Sequence, residues 1–108
     1  MSGLEDTLAF QIKAAGLPEP KREYQAIAGR KFRFDFAWPL PSWDALLVEV
    51  QGGIWKPGGH STGKGITRDC EKLCLATLAG WRCLQVTKEH IESGQALKWI
   101  QEALKYQA

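Results

Sequence analysis

The 108-residue sequence predicts an α/β domain in which helices flank a mixed β-sheet and a further helix lies at the C-terminus. Apolar residues recur at helical spacing near both ends of the chain, and three strand-like runs follow the first of these helices. A second predicted helix separates the third run from a fourth, which favours a parallel pairing of the last strand. We therefore expect the order α-β-β-β-α-β-α in a single domain spanning residues 1–108.

Composition limits the class of protein. Hydrophobic residues make up 44% and charged residues 24% of the chain, as in globular proteins. No apolar run approaches the ~20 residues that span a bilayer, and no secretory leader is recognisable, so we expect a cytoplasmic protein without a membrane partner. The net charge of +2 neither requires nor excludes a nucleic-acid partner. Three cysteines are an odd number, and we expect no disulfide framework.

The first predicted helix covers residues 3–15, because Leu4, Leu8 and Ile12 recur at the spacing of one helix face. Three β-rich runs then predict an antiparallel meander: residues 23–28, 31–37 and 45–51. In the second run, phenylalanines alternate with Arg33 and Asp35, so we expect three aromatic rings on one face and the charged side chains on the other.

The second half of the chain begins with a glycine-rich loop over residues 52–65, which is either functional or a mobile surface loop. The helix that follows is expected to bury a stripe that includes Cys70 and Cys74, and to end at Gly80. A strand over residues 81–86, a short helix capped by Thr87 and a terminal amphipathic helix complete the predicted order.

Two carboxylates interrupt the apolar strands of the meander. In the third run, Glu49 and Gln51 lie opposite the aliphatic face, so pairing of the strands would set Asp35 across from Glu49. Two carboxylates this close stay ionised only with a cation between them, and Mg²⁺ is a natural choice. Such an ion polarises a phosphoryl group and acidifies a water, which favours phosphodiester hydrolysis. The alternative is a pair of carboxylates on the solvated face of a sheet.

The sequence resembles the PD-(D/E)XK nuclease superfamily, in which an acid on one strand precedes a Glu-x-Lys motif on the next. More closely it resembles small phage and prophage endonucleases, and more loosely Holliday junction resolvases and very-short-patch repair endonucleases. The resembling stretches are RFDFAWP (33–39), VEVQGG (48–53), DCEK (69–72) and GWR (80–82). The resemblance implies the restriction-endonuclease-like αβββαβ core.

The resemblance also implies a Mg²⁺ or Mn²⁺ site. The metal-binding acids of the family match Asp35 and Glu49, and the backbone carbonyl of Val50 would be a further ligand. Glu5 on the first helix matches an acid that some members use near the metal.

The family's catalytic lysine is absent from its usual position, where this chain has Gln51. Glutamine forms hydrogen bonds but carries no charge. Lys72 on the second helix is the best candidate to replace the lysine at the catalytic centre. Otherwise Lys72 is an ion-pair partner of Asp69 on a solvated face. In that case the metal acts alone, a second metal helps, or the chemistry has been lost.

Basic residues near this site suggest contacts with DNA. Part of them lie around the first hairpin, and the others lie in the glycine-rich loop beside a tryptophan that could stack on an unpaired base. A solvated surface is the alternative for both groups. The candidate DNA-binding residues are Arg30, Lys31, Arg33, Trp55, Lys56, His60 and Lys64.

Together these expectations describe a metal-dependent deoxyribonuclease. It would be an endonuclease that cuts DNA phosphodiester bonds, with Holliday junctions or other branched DNA as the favoured substrate. The resemblance implies a phage-encoded protein that acts in recombination or replication inside a bacterial host cell, and paired cuts at a junction would require a homodimer. The alternatives are a nicking or mismatch-directed endonuclease, a non-catalytic DNA-binding module of the same fold, and a structural phage protein.

Overall fold

A computed structural model describes residues 3–51 and 63–105, with the backbone alone for Trp43, Gly63 and Lys64. The predicted α/β class and order of elements are confirmed. No helix in these two ranges is long and apolar enough to cross a membrane. The elements are α1 (Gly3–Ala14), β1 (Lys21–Tyr24), β2 (Phe34–Trp38), a 3₁₀ turn (Ser42–Asp44), β3 (Leu46–Gln51), α2 (Gly63–Leu78), β4 (Arg82–Thr87), α3 (Lys88–Glu92) and α4 (Gln95–Lys105).

The four strands form one mixed sheet in the order β1-β2-β3-β4. The pairs β1–β2 and β2–β3 are antiparallel, whereas β4 runs parallel to β3 from the pair Leu46–Arg82 to the pair Gln51–Thr87. The parallel pair is the one that α2 connects, as a helical crossover requires.

The predicted bounds of the first two strands are wrong. β1 is Lys21–Tyr24 rather than residues 23–28, and β2 begins only at Phe34. The chain between them forms a turn, in which the Arg30 N–H donates to the Ile27 carbonyl at 3.2 Å. Gly29 adopts a φ of 78°, a left-handed conformation that a glycine adopts without steric cost.

The phenylalanines also do not share one face of the sheet. Phe36 packs with Trp38 in one core cluster, whereas Phe34 packs with Ala37 in the other. The strict alternation of faces therefore breaks around Asp35, and Glu23 on the paired stretch of β1 has an unusual φ of 49°. Period-two reasoning cannot detect such an irregularity, because it assumes uniform extended backbone.

Both faces of the sheet are covered. On one face, α1, α3 and α4 supply Leu8, Ile91 and Ile100 to a core that includes Phe36 and Val86. Each fully buried side chain of this size stabilises the fold by about 1.5–3 kcal/mol. On the other face α2 covers a smaller cluster, whose buried members are Phe34, Ala37, Leu47 and Ala76.

Because α2 covers only this small cluster, few of the described side chains of α2 are buried. Cys70 and Cys74 are exposed, so the predicted buried stripe through them is wrong. Among the residues of α2 with described side chains only Ala76 is fully buried, while Lys72 and Leu73 are half-buried. All three cysteines are free thiols, and burial raises the pKa of Cys83.

The predicted ends of the helices around β4 are confirmed. Gly80 has a φ of 94° and ends α2, and the next N–H, from Trp81, donates to the Ala76 carbonyl at 3.0 Å. At the other end of β4, the Thr87 side chain accepts from the N–H of His90, while the Thr87 N–H donates to the His90 ring. This capping box turns the chain from β4 directly into α3.

Candidate metal centre

The ladder between β2 and β3 stops one pair before the predicted acids. It runs from Trp38–Leu46 to Phe36–Val48, and the next residues along the two strands are Asp35 and Glu49. At these residues, hydrogen bonds between backbone N–H groups and carboxylate side chains connect the two strands. The Asp35 N–H donates to Oε1 of Glu49 at 3.0 Å, and the Val50 N–H donates to Oδ2 of Asp35 at 2.8 Å. The structure thus brings Asp35 and Glu49 together, and each carboxylate accepts a hydrogen bond from a backbone N–H of the neighbouring strand.

Lys72 reaches the same place from α2. Its Nζ donates to Oε2 of Glu49 at 2.5 Å and lies 4.6 Å from the centroid of the Phe34 ring. The side chains are 17% and 14% exposed, respectively, for Lys72 and Glu49. Lys72 is therefore not an ion-pair partner of Asp69 on a solvated face.

The environment of Glu49 shifts its protonation. Burial raises the pKa of this carboxyl above its ordinary value, and the charge of Asp35 raises it further. The hydrogen bond and charge of Lys72 oppose this rise without cancelling it. Glu49 is thus a desolvated carboxylate that depends on a nearby cation.

A second group of acids meets on the α1 side of the site. Oxygen atoms of Glu5, Glu23 and Asp35 all lie within 4.8 Å of one another, and Glu49 is not a member of this group. Burial raises the pKa of Glu5, and the charges of Asp35 and Glu23 add to the rise. Arg22, whose Nη2 lies 3.9 Å from Oε1 of Glu5, lowers the pKa only in part.

Sequence reasoning missed Glu23. No motif contains it, and a strand over residues 23–28 gives it no reason to face Asp35. Its positive φ lies within the irregular stretch of β1, where only the tertiary structure sets the direction of the side chain.

The donor set fits a hard divalent cation. Carboxylate oxygens are the ligands that Mg²⁺ and Mn²⁺ prefer, and ligands on one such ion lie within roughly 4–5 Å of each other. Burial raises the pKa of Glu5, and repulsion from Asp35 and Glu23 adds to the rise; a cation bound among these oxygens would oppose both effects. Asp35 belongs both to this group and to the bonded pair with Glu49, so it is the residue that joins the two halves of the site.

Of these residues, the nuclease resemblance implies Asp35, Glu49 and Glu5 as acids of the site, whereas Glu23 and a lysine on α2 lie outside the family motif. Comparisons with family models, with curated proteins and with solved structures found no match to the chain. Membership of the PD-(D/E)XK superfamily therefore stays a prediction.

The remaining predicted site residues are distributed around the pair of Glu49 and Lys72. Gln51 lines a narrow gap beside this pair, together with Asp69 and Gln85. The N–H of Val50 bonds to Asp35, while the role predicted for its carbonyl stays a prediction.

The predicted DNA-binding residues divide into two sets. Arg30 and Lys31 line an open cleft beside α2, and Arg33 is exposed. The others belong to the glycine-rich segment. Trp55, Lys56 and His60 lie outside the described residues, and Lys64 is described only as backbone in the first turn of α2.

Proposed function

We propose that the chain is a metal-dependent endonuclease that hydrolyses DNA phosphodiester bonds. Its catalytic site would contain Asp35, Glu49 and Lys72. The observation that supports this most strongly is the pair of bonds just past the last β2–β3 ladder pair, where the Asp35 N–H donates to Glu49 and the Val50 N–H donates to the Asp35 carboxylate. Two acids fixed on neighbouring strands, with a lysine bonded to one of them, form the constellation that this reaction needs.

The acids would hold Mg²⁺ or Mn²⁺. Asp35 would be the central ligand, with Glu5 and Glu23 on the α1 side and Glu49 on the α2 side. When bound, such an ion neutralises the carboxylates and the substrate phosphate and lowers the pKa of a water.

The chain's own side chains supply orientation and charge. Glu49 is held at one oxygen by the Asp35 N–H and at the other by Lys72, so its carboxylate has a fixed direction. The ammonium group of Lys72 has three donors, of which Glu49 takes one. The other two can hydrogen-bond to a phosphate oxygen and stabilise the negative charge that develops on it. Gln51, which lines the gap next to this pair, adds a neutral hydrogen-bonding amide.

The substrate is proposed to be branched DNA, cut by a homodimer in phage recombination or replication within the bacterial host cell. The basic residues Arg30 and Lys31 beside α2 support nucleic acid as the substrate class. Branch preference, the dimer and the phage role rest on the resemblance alone.

Cleavage of a panel of branched, nicked and linear DNAs with Mg²⁺ and with Mn²⁺ tests the proposal. We expect cutting that chelation abolishes, and a loss of at least ~10²-fold in Asp35→Asn and in Glu49→Gln. Glu102→Gln, on the exposed face of α4, is the matched control and should keep full activity. Activity that survives both substitutions in the site would refute the assignment.

A non-catalytic DNA-binding module is the second candidate. Two observations favour it: Gln51 stands where the motif lysine is expected, and Lys72 is already paired with Glu49. This candidate predicts salt-dependent DNA binding that is unchanged in Asp35→Asn, and no cutting of any DNA with either metal.

A further inference from the structure

An open cleft of about 470 Å³ lies between the β1–β2 turn and α2. The residues that line it are Gly29, Arg30, Lys31, Phe32 and Arg68. Three of these five carry a positive charge and none carries a negative one. The cleft is thus a concentrated patch of positive potential on a chain whose net charge is only +2.

Arg30 is held in position from two sides. Its Nη2 donates to Oε2 of Glu71 at 2.6 Å, and its guanidinium carbon lies 4.7 Å from the centroid of the Phe32 ring. The side chain nevertheless remains 41% exposed, and a guanidinium has five N–H donors. Arg30 is therefore preorganised and still has donors for a ligand.

The other two cations of the cleft have their charge available. Within the described ranges, neither Lys31 nor Arg68 forms an ion pair with a carboxylate. Both side chains are exposed. Lys31 and Arg68 thus add two charges without an ion pair to Arg30, whose charge Glu71 offsets, and an anion in the cleft relieves the repulsion among them.

The cleft lies next to the proposed catalytic lysine along α2. Arg68 precedes Lys72 by four residues, so the two share a helix side about 6 Å apart along the axis. Glu71, which orients Arg30, is the residue directly before Lys72. This separation allows the two cations to contact different phosphates of one DNA strand.

We propose that this cleft binds a backbone phosphate of the DNA strand close to the scissile phosphate, with Arg68, Arg30 and Lys31 as its donors. This proposal rests on the proposed function, because it assumes that DNA is the substrate and that Lys72 lies beside the scissile phosphate. Arginine forks match phosphate geometry, and contacts to phosphate fix the register of a strand. The cleft thus positions the DNA strand over the acids. Arg68 is a positioning residue, and no sequence motif contains it.

The salt dependence of DNA binding, measured without divalent metal, tests the cleft. We compare the wild-type protein with Arg68→Gln, Arg68→Lys and the control Lys98→Gln, which removes an exposed charge from α4. Losing one phosphate contact should reduce the slope of log K against log salt by about 0.9 on duplex DNA in Arg68→Gln. Arg68→Lys should keep most of the slope, and Lys98→Gln all of it.

The two proposals fail in different ways. An unchanged affinity and slope in Arg68→Gln, or wild-type protein that does not bind DNA, overturns the cleft. Wild-type protein that binds through Arg68 but cuts no DNA overturns the endonuclease and leaves the phosphate cleft standing. Where cutting occurs, Arg68→Gln should raise KM more than it lowers kcat. A loss of kcat with unchanged KM contradicts a positioning role.

Discussion

Lys72 is the residue on which the chemistry of the site depends most. Its ammonium compensates Glu49, whose side chain is only 14% exposed, and it is the one lysine that the structure places against the paired acids within the described ranges. A cation at this point can serve both the folded state and the reaction, so its two roles have to be separated by experiment.

Replacing Lys72 with Met should lower the cleavage rate by ~10²–10⁴-fold, because the acid–base or charge assistance is lost. The variant should also lose about 1–3 kcal/mol of stability at pH 7, since Glu49 is left unpaired in a desolvated position. Lys98→Met on α4 is the control for surface charge. An unchanged cleavage rate in a folded Lys72→Met protein would exclude a catalytic role.

The loss of stability in Lys72→Met should depend on pH in a defined direction. Burial already raises the folded pKa of Glu49 above its ordinary value, and removing Lys72 raises it further. The folded state then binds the proton more tightly than the unfolded state, so the penalty is absent at low pH and grows as pH rises through the folded pKa. Urea unfolding should therefore show a larger difference from wild type at pH 7 than at pH 4. A difference independent of pH would mean that packing rather than charge is lost.

Glu23 provides a test of the acidic group that the sequence did not reveal. Glu23→Gln removes one of the charges that raise the pKa of Glu5, so without metal the variant should melt at a higher temperature than wild type. It should also gain less stability from Mn²⁺, because a ligand has been removed. Glu19→Gln, an exposed glutamate in the preceding loop, is the control. Equal stabilisation by Mn²⁺ in the wild type and in Glu23→Gln would exclude Glu23 as a ligand.

At the scale of elements, the junction between β4 and α3 depends on one side chain. Thr87 is the last residue of β4 and the N-cap of α3, and both halves of its capping box are formed with His90. The ring of His90 in turn lies 4.8 Å from that of Trp99 on α4. The cap thus connects the parallel strand to the two C-terminal helices.

Thr87→Ala should lower the free energy of unfolding by about 1 kcal/mol, since an N–H at the start of α3 loses its acceptor. Thr67→Ala in the exposed part of α2 is the matched control and should change stability by less than about 0.5 kcal/mol. Both values come from urea unfolding curves. Equal effects of the two substitutions would show that the cap contributes nothing specific.

At the scale of the whole molecule, the site lies just past the last β2–β3 ladder pair, between the helical layers that cover the two faces of the sheet. α1, with Glu5, belongs to the large core on one face, and α2, with Lys72, covers the small cluster on the other. The acids on β2 and β3 lie between them. Each helix brings a different group to the same place, so the arrangement depends on both layers.

The predicted homodimer has a consequence at this scale. A dimer that cuts two opposed strands of a four-way junction in one encounter should convert a cruciform-bearing supercoiled plasmid directly into linear DNA. A monomer makes single cuts and should accumulate nicked circles first. Light scattering of the protein, combined with the time course on the plasmid, distinguishes the two. A monomer that yields only nicked circles would favour the nicking endonuclease over the junction resolvase.

The reach of sequence reasoning depends on the kind of residue. Leu8 and Ile12 repeat at helical spacing and are buried as expected, and Gly80 and Thr87 act as the caps that their residue types favour. The faces of β2 could not be predicted, because the alternation breaks at Asp35. The exposure of Cys70 and Cys74 could not be predicted either, since it depends on how little of α2 the sheet covers.

The sequence by itself determined the order of elements, the parallel pairing of the last strand and the opposition of Asp35 to Glu49, because periodicity and residue type act over a few positions. Only the tertiary structure decided that Lys72 pairs with Glu49, that Glu23 lies with Glu5 and Asp35, and that Arg68 lines the same cleft as Arg30. These partners lie far apart in the chain or on irregular backbone. Their approach is set by the packing of helices on the sheet, which no local pattern encodes.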